Sequence, residues 1–495
     1  MTGDGPSGAP PPTVETLRRR GEAMCGELGL ESYRTGAGLA AESHFAAIFG
    51  RYTDLADDAA VAAARGHREL LEWVVDNRVG RAAAALDDRL HAWEAQAVLA
   101  LPGGGTLPYQ RAAIEIANEP DRAKRMAIET ARRGVLAAPA AIRRARLETE
   151  RGLLAELGMG DVVAARTRLS GVDLRALGTA CAGFLAATAD VYRDALREVL
   201  HRELGLADGD ADRSDAAYLF RGAGFDEFFP GGALVPTARR QLAEMGLDAE
   251  AGGRIRYDAD DRERKRSRAF CSPVQVPDEV YLVIRPFGGQ TDYRAFWHEL
   301  GHAQHFANIA RALPFEHRWL GDNSVTEAFA MLFEHMVVAP GWLARYTRLA
   351  GERCRAFQRS QAFALLAILR RYAAKLRYEL ELHGAPSLEA GARGYAPLLS
   401  EATGFRYAAE DALLDLDDAF YAARYLRAWQ LEALLAAALR ERFDEDWYRN
   451  PRCGTWLLDL FARGQRDDAA ALAAGVLGRT LDFAPLVARA EAALA

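Results

Sequence analysis

The sequence predicts a mainly α-helical protein, and its composition and periodicity both support that prediction. Of its 495 residues, 50% are hydrophobic and 26% are charged, which is the balance of an ordinary globular protein. Alanine, leucine, arginine and glutamate dominate long stretches, while β-branched residues are sparse, so most of the chain favours helix. Segments such as 121–157 and 174–204 place apolar residues at spacings of three and four, as one face of a buried helix requires.

Changes in composition divide the chain into five regions. A Gly/Pro-rich start, residues 1–13, is typical of a disordered tail, and helical patterns follow over 14–206, interrupted by Gly and Pro at 101–108. An acidic loop at 207–215 opens a region of loops and a small sheet, 207–290, in which 220–253 is rich in Gly, Phe and Pro. Its segment 280–284 (VYLVI) is the best strand candidate. Helical patterns then resume through 291–345 and 346–495.

Charge and cysteine usage exclude several classes of function. The net charge is −7 with both signs mixed, so we expect no nucleic-acid partner, and the basic run at 262–268 favours a solvated loop or helix face over a phosphate-binding patch. No apolar run reaches the ~18 residues of a membrane span, and the N-terminus lacks the apolar core of a signal peptide. Five cysteines without a CxxC pair indicate neither a disulfide framework nor a cysteine metal site, and they favour the cytoplasm. No oligomeric state is predicted.

The segment 298–302 reads His-Glu-Leu-Gly-His, an HExxH motif. On a helix, His298 and His302 lie one turn apart on the same face, so both imidazoles can reach one metal ion. Glu299 projects about a quarter-turn away, where it can act as a general base on a water at the metal. Gly301 is unfavourable within a helix by ~1 kcal/mol, which indicates that another element packs closely against it. The competing interpretation is a fortuitous motif on a surface helix.

A catalytic zinc takes three protein ligands and leaves one position open, so a third ligand is required. A metzincin site is excluded because position 305 is His and position 308 is Asn. Glu327, which follows His298 by 29 residues in a second helical segment, is the candidate. The alternative is that Ser324 and Glu327 form a capping box at the start of that helix.

Two further residues near the motif have open roles. Glu334 lies two turns beyond Glu327 on the same face, so it is either an acceptor for the N–H of a ligand histidine or an exposed helix acid. His305 lies one turn beyond His302, too far along the helix to join the same ligand set. It either lines the pocket or packs in the core.

These residues resemble the thimet oligopeptidase and oligoendopeptidase F family of zinc peptidases, which are gluzincins. The zinc helix of that family reads HEFGHxxH, against HELGHAQH here, and its third ligand and a second glutamate have the spacing of Glu327 and Glu334. The chain is more distantly similar to angiotensin-converting enzyme around the strand before the zinc helix and at Arg424-Tyr425. The resemblance is strongest over residues 280–338.

The resemblance implies a two-lobed helical peptidase with a deep central channel and a small edge sheet beside the zinc helix. One Zn²⁺ per chain lies at the channel floor, and access is limited to oligopeptides. In such enzymes a tyrosine from a late helix stabilises the oxyanion, and Tyr425 is the first candidate and Tyr421 the second, unless both are ordinary helix tyrosines. The family proline and serine after the third ligand are replaced, since Ala328 to Ala330 follow, and no histidine occurs after His383.

The expected function is zinc-dependent hydrolysis of peptide bonds in oligopeptides. His298, His302 and Glu327 would hold the metal, and Glu299 would activate water for attack on the polarised carbonyl. The strand at 280–284 could pair with an extended substrate backbone.

Three alternatives stay open at this point. The missing late histidine motivates an inactive peptide-binding pseudopeptidase that retains the fold, although such a protein need not keep Glu299. A helical structural protein with a chance motif would hold no metal. Exopeptidase action is weakened by the absence of a GxMEN signature, but carboxydipeptidase action is left open.

Overall fold

The computed structural model describes residues 12–494. Its helices fall into two series, one before and one after the three-stranded sheet. The first series consists of α1 Val14–Gly36, α2 Phe45–Arg51, α3 Asp58–Ala64, α4 Arg68–Gln96, α5 Ala112–Asn118, α6 Arg122–Gly134, α7 Ala137–Glu156, α8 Val162–Ser170, α9 Leu174–Ala187, α10 Ala189–Val199, α11 Arg213–Arg221 and α12 Leu234–Glu244.

The second series consists of α13 Gln290–Ala307, α14 Asn323–Met336, α15 Pro340–Tyr346, α16 Gly351–Gly384, α17 Leu388–Ala392, α18 Tyr395–Thr403, α19 Tyr421–Phe443, α20 Pro451–Phe461, α21 Ala469–Leu472 and α22 Ala484–Leu494. The mainly α-helical fold class predicted from the composition is therefore confirmed.

Two small sheets accompany the helices, one between α4 and α5 and the other between α12 and α13. β1 Val98–Ala100 and β2 Thr106–Pro108 form an antiparallel hairpin. The other sheet has three strands, β3 Ile255–Asp258, β4 Phe270–Gln275 and β5 Glu279–Val283, in the order β3-β5-β4. β5 pairs in parallel with β3 and antiparallel with β4, so it is the central strand and β4 lies at the edge beside α13.

The largest hydrophobic core connects the sheet with the long C-terminal helices. α13 packs against α14, and α14 packs against α19, so these three helices form its centre. Phe296, Trp297 and Leu300 of α13 are fully buried there. A Cβ at Gly301 would lie 2.6 Å from the Cα of Ala330, so the close packing expected at this glycine is the crossing of α13 and α14.

Several sequence-based boundaries need correction. The tail predicted over 1–13 lies mostly outside the described residues, but Thr13 accepts a hydrogen bond from the backbone N–H of Thr16 and caps α1. The Gly/Pro segment 101–108 belongs to a hairpin, because Leu99 and Leu107 alternate inward with polar or exposed neighbours. The region 207–290, predicted to hold loops and a small sheet, also contains the helices α11 and α12. In α12, Pro236 lies in the first turn, where a proline is compatible with a helix.

Among residues 12–494, none of the helices combines the length and the apolar character that crossing a bilayer demands.

Candidate metal centre

Two adjacent helices bring three potential ligands together. α13 carries His298 and His302 on one face, and α14 lies across that face because Gly301 allows the two backbones to approach. Glu327 of α14 thereby meets both imidazoles, although 25 residues separate it from His302 in sequence. These are the three residues that the sequence predicts as metal ligands.

The distances between the three groups fit a tetrahedral metal. Oε2 of Glu327 lies 3.4 Å from Nε2 of His298 and 3.6 Å from Nε2 of His302. Metal–ligand bonds of about 2.0–2.2 Å separate neighbouring ligand atoms of a tetrahedron by roughly 3.4 Å. Oε2 of Glu327 is also buried without a hydrogen-bond partner among the described residues, as expected for an atom that serves as a ligand.

The Nδ1 atom of each ligand histidine contacts a neighbouring side chain. Nδ1 of His298 donates to Oε2 of Glu334 at 3.1 Å, and Glu334 in turn accepts from Nη2 of Arg294 at 2.5 Å. Nδ1 of His302 lies 2.9 Å from the hydroxyl oxygen of Thr326, which can accept a hydrogen bond from the Nδ1–H group. Each contact directs Nε2 of its ring toward Glu327 and prepares it to bind a cation.

The charges at the centre are strongly coupled. Burial alone would lower the pKa of His298, but the carboxylates of Glu327 and Glu334 raise it to about 10. Burial alone would raise the pKa of Glu327, but the two imidazoles hold it well below its usual range. Burial opposes ionisation of Glu334 as well, yet Arg294 and His298 keep its pKa low. The carboxylates of Glu327 and Glu334 are therefore anionic and favour a positive charge beside them, which a divalent cation can supply.

Glu299 lies beside this ligand set, where the structure connects it to the sheet. Its Oε2 accepts a hydrogen bond from the backbone N–H of Cys271 in β4 at 2.9 Å. Its side chain is only partly buried, so it keeps access to solvent. Glu299 is not one of the three residues grouped as potential metal ligands.

The sheet requires one correction. The prediction that the strand at 280–284 pairs with substrate is wrong, because both edges of β5 are already occupied by β3 and β4. β4 is the strand that faces the centre through Cys271. α1 packs along β4, where Ser272 donates its hydroxyl proton to the backbone oxygen of Gly29. The hydrogen bond from β4 to Glu299 comes from Cys271, the second residue of the strand.

The competing role of Glu327 as a capping residue does not occur. α14 is capped by Asp322, whose side chain accepts from the backbone N–H of Ser324 at 3.0 Å. Asp322 also accepts from Arg424 and from the backbone N–H of Ala469. Because Asp322 supplies the cap, Glu327 lies one turn further along the helix and points toward the histidines.

The two candidate tyrosines occupy different positions at the start of α19. Tyr421 donates its hydroxyl proton to Oε1 of Glu327 at 3.0 Å, and burial together with that carboxylate raises the pKa of its phenol. Tyr425 lies one turn further on, packed against the rings of Tyr372 and Trp429. Its hydroxyl makes no hydrogen bond to a described residue, so it is the freer donor of the two.

His305 does not join the centre. Its side chain has no exposed surface and packs against the rings of Phe306, Phe329 and Phe461. Burial lowers the pKa of His305 to about 3, so the ring is neutral. The structure therefore favours core packing over the substrate-lining role that the sequence left open.

Sequence reasoning missed Thr326 and Arg294. Thr326 precedes the ligand Glu327 directly, and Arg294 precedes His298 by one helical turn on the same face. The available signal was chemical: each ligand histidine requires an acceptor for its second ring nitrogen, and a buried acceptor such as Glu334 requires a cation.

Comparison with known proteins shows the fold. No family model matches the chain, and no curated protein sequence matches it. A crystal structure of a "putative peptidase" from Chlamydophila abortus is similar, with a TM-score of 0.66 over 97% of this chain and 88% of that chain. The sequence identity is 12%, so the likeness establishes a shared architecture.

Proposed function

We propose that this protein is a zinc metallopeptidase that hydrolyses peptide bonds in oligopeptides. The observation that carries the proposal is the convergence of His298, His302 and Glu327, whose ligand atoms lie within 4.8 Å of one another. Two imidazoles, one carboxylate and an open fourth position are the donor set of a catalytic zinc. The fold shared with the Chlamydophila abortus protein supports the same conclusion.

Each remaining side chain has a chemical role. A divalent cation held by the three ligands would supply Lewis acidity and lower the pKa of a water molecule. Glu299 would act as the general base for a water molecule that attacks the scissile carbonyl, and it would return the proton to the leaving amine. Tyr425, whose hydroxyl is free, donates to the developing oxyanion, while Tyr421 orients Glu327 through their hydrogen bond.

The substrate backbone runs beside the first residues of β4 in this proposal. The amide of Cys271 faces Glu299, so an extended peptide in the neighbouring channel places its carbonyl within reach of the base. The resemblance to oligopeptidases supports short peptides as substrates. The five cysteines are unpaired in the structure, which supports our expectation of a reducing compartment, the cytoplasm.

Metal content and peptide cleavage test the proposal together. We expect one zinc per chain in purified protein and cleavage of a mixed oligopeptide library, read by mass spectrometry, that stops when a chelator removes the metal. Glu327→Ala should lose both zinc and activity, because two imidazoles alone bind zinc weakly.

Glu401→Ala is the matched control, since Glu401 is an exposed glutamate on α18. It should retain zinc and activity. A Glu327→Ala protein that still holds one tightly bound zinc would show that the third ligand lies elsewhere. A zinc-loaded wild-type protein that cleaves no peptide would overturn the peptidase assignment.

A further inference from the structure

The loop between β3 and β4, residues 259–269, contains the basic run for which the sequence favours a solvated loop or helix face. In the structure it is a loop, and three of its arginines are exposed, Arg264, Arg266 and Arg268. Among residues 12–494, none of these three guanidinium groups takes part in a salt bridge or a hydrogen bond. The loop therefore presents cationic donors that no acid of the described chain occupies.

Two other bases anchor this loop to the body of the protein. The side chain of Lys265 has no exposed surface, and its Nζ donates to Oδ1 of Asp258 at 2.7 Å and to the backbone oxygen of Asp260 at 2.9 Å. Nε of Arg262 donates to the backbone oxygen of Ala37, just beyond α1, at 2.7 Å. Because a buried ammonium group is costly without its partners, these contacts hold the backbone of the loop in place.

Arg268 lies close to the metal centre. It precedes Cys271 by three residues, and the amide of Cys271 donates to Glu299. A chain spans at most about 3.6 Å per residue, so the Cα atoms of Arg268 and Cys271 are at most about 11 Å apart. Arg268 also acts on α19: burial and the carboxylate of Glu327 raise the pKa of the Tyr425 phenol, and the charge of Arg268 opposes that rise. Arg268 is thus near both the sheet side and the α19 side of the centre.

Nearby acids are mostly engaged with other bases. Asp260 and Asp261 in the same loop pair with arginines other than the three exposed ones. Asp417, in the segment that leads into α19, accepts from Nζ of Lys375 at 2.7 Å. Glu263 is the one exposed acid of the loop without a partner among the described residues. Three unpaired arginines against one unpaired glutamate leave an excess of positive charge at this side of the centre.

We infer that Arg268 selects peptides that carry an acidic side chain within about three residues of the scissile bond. This inference rests on the proposed peptidase function and names the substrate class of that site. A guanidinium group matches a carboxylate with two parallel hydrogen bonds and repels a lysine side chain. The span of about 11 Å corresponds to roughly three residues of an extended peptide. The selected group is a side chain, so neither end of the peptide is involved.

Binding to an inactive protein tests the inference without requiring turnover. Zinc-loaded Glu299→Gln protein is titrated with N-terminally dansylated hexapeptide amides, whose two ends are uncharged, and binding is read by fluorescence anisotropy. One position is Glu or Lys and is moved along the peptide, while the other positions hold uncharged residues. We expect Glu peptides to bind roughly 5- to 30-fold more tightly than Lys peptides at one or more positions, the combined range of one ion pair and one repulsive contact.

Charge reversal identifies the partner of the acidic side chain. Arg268→Glu in the same background should favour Lys peptides over Glu peptides. Arg264→Glu is the matched control, because Arg264 is an exposed arginine of the same loop whose backbone lies against Gly38, beyond the end of α1. At physiological salt a charge is screened within about 8 Å, so Arg264→Glu should keep the preference for Glu peptides. Circular dichroism confirms that each variant is folded.

The outcomes are distinct from those of the proposed function. Equal binding of Glu and Lys peptides, or no binding of either, overturns the inference even when the wild-type protein cleaves peptides. A Glu preference that persists in Arg268→Glu, or that Arg264→Glu removes to the same extent, overturns it as well. A preference that is inverted in Arg268→Glu alone supports the inference even if the wild-type protein proves catalytically inactive.

Discussion

At the scale of single residues, the centre depends on which atoms are already engaged and which are free. His298 and His302 each direct Nδ1 to a neighbouring oxygen, so only Nε2 is left for a metal. Glu327 divides its two oxygens in the same way: Oε1 accepts from Tyr421, and Oε2 faces the two rings. With their contacts divided in this way, His298, His302 and Glu327 each keep one atom with which they could hold a metal ion.

The first prediction concerns Glu299. Replacement by Gln keeps an oxygen that can accept from the amide of Cys271, but it removes the group that takes the proton from water. We expect Glu299→Gln to retain zinc and to lose at least ~10²–10⁴-fold in kcat/KM, the usual contribution of a general base. Metal analysis and hydrolysis of a quenched peptide measure the two effects separately.

Glu352→Gln is the control, because Glu352 is exposed at the start of α16. A Glu299→Gln variant with most of its activity would refute the base assignment. If wild type and variant both hold zinc and neither cleaves peptides, the result favours an inactive pseudopeptidase over an enzyme.

At the scale of secondary-structure elements, the crossing of α13 and α14 sets the distance between the ligands. A side chain at Gly301 would meet backbone atoms of α14, namely the Cα of Ala330 at 2.6 Å and the carbonyl oxygen of Phe329 at 2.8 Å. Backbone cannot rotate away as a flexible side chain can. The close contact between α13 and α14 therefore requires glycine at position 301, despite its low helix propensity.

Gly301→Ala is accordingly expected to separate the two helices. Overpacking costs about 1–3 kcal/mol, which outweighs the ~1 kcal/mol that alanine gains in a helix. We expect a lower thermal midpoint and weaker zinc binding, since Glu327 moves away from the histidines. Thermal unfolding and a competitive zinc chelator measure the two effects.

Gly183→Ala is the matched control on α9, where no atom lies near the added methyl group. It should be neutral or slightly stabilising. A Gly301→Ala protein with unchanged zinc affinity would show that the crossing does not set the ligand distance.

At the scale of the whole molecule, buried charges connect regions that are far apart in sequence. Arg424 of α19 pairs with Asp322, the cap of α14, and with Glu72 of α4. Glu379 of α16 accepts from the backbone N–H of Asp417, in the segment that leads into Tyr421. Ion pairs and hydrogen bonds of this kind hold the tyrosines of α19 over the ligands.

Glu379 makes stability depend on pH. Its burial, reinforced by the nearby Asp417 and Asp415, raises its pKa from 4.5 to about 8. Between these two values the folded protein keeps a proton that the unfolded chain has lost, so stability falls as pH rises from 4.5 to 8. We expect Glu379→Gln to remove this loss.

The difference between Glu379→Gln and wild type should be small at pH 5 and grow toward pH 8, on the order of 1 kcal/mol per pH unit. Thermal midpoints at pH 5, 6.5 and 8 measure it. Glu381→Gln, an exposed change two residues away on α16, should show no such trend. A constant difference between Glu379→Gln and wild type across this range would contradict the raised pKa.

Local patterns in the sequence were sufficient to predict the helical class and the arrangement of residues within a single helix. The helical class and the placement of His298 and His302 on one face follow from short-range periodicity, because residues four apart on a helix always share a face. Gly301 predicted a close contact because glycine is unfavourable within a helix unless a neighbouring element packs against it. The roles of Glu327 and Glu334 were predicted from their spacing and from the resemblance to a family. Short-range periodicity does not connect these two residues to α13.

Only the tertiary structure decided which groups meet across elements. The packing of α13, α14, α19 and the sheet makes Thr326 the partner of His302 and Tyr421 the partner of Glu327. It also places β4, rather than β5, beside Glu299. A sequence states the periodicity of each element, whereas the contact between two elements depends on the free energy of packing the whole chain.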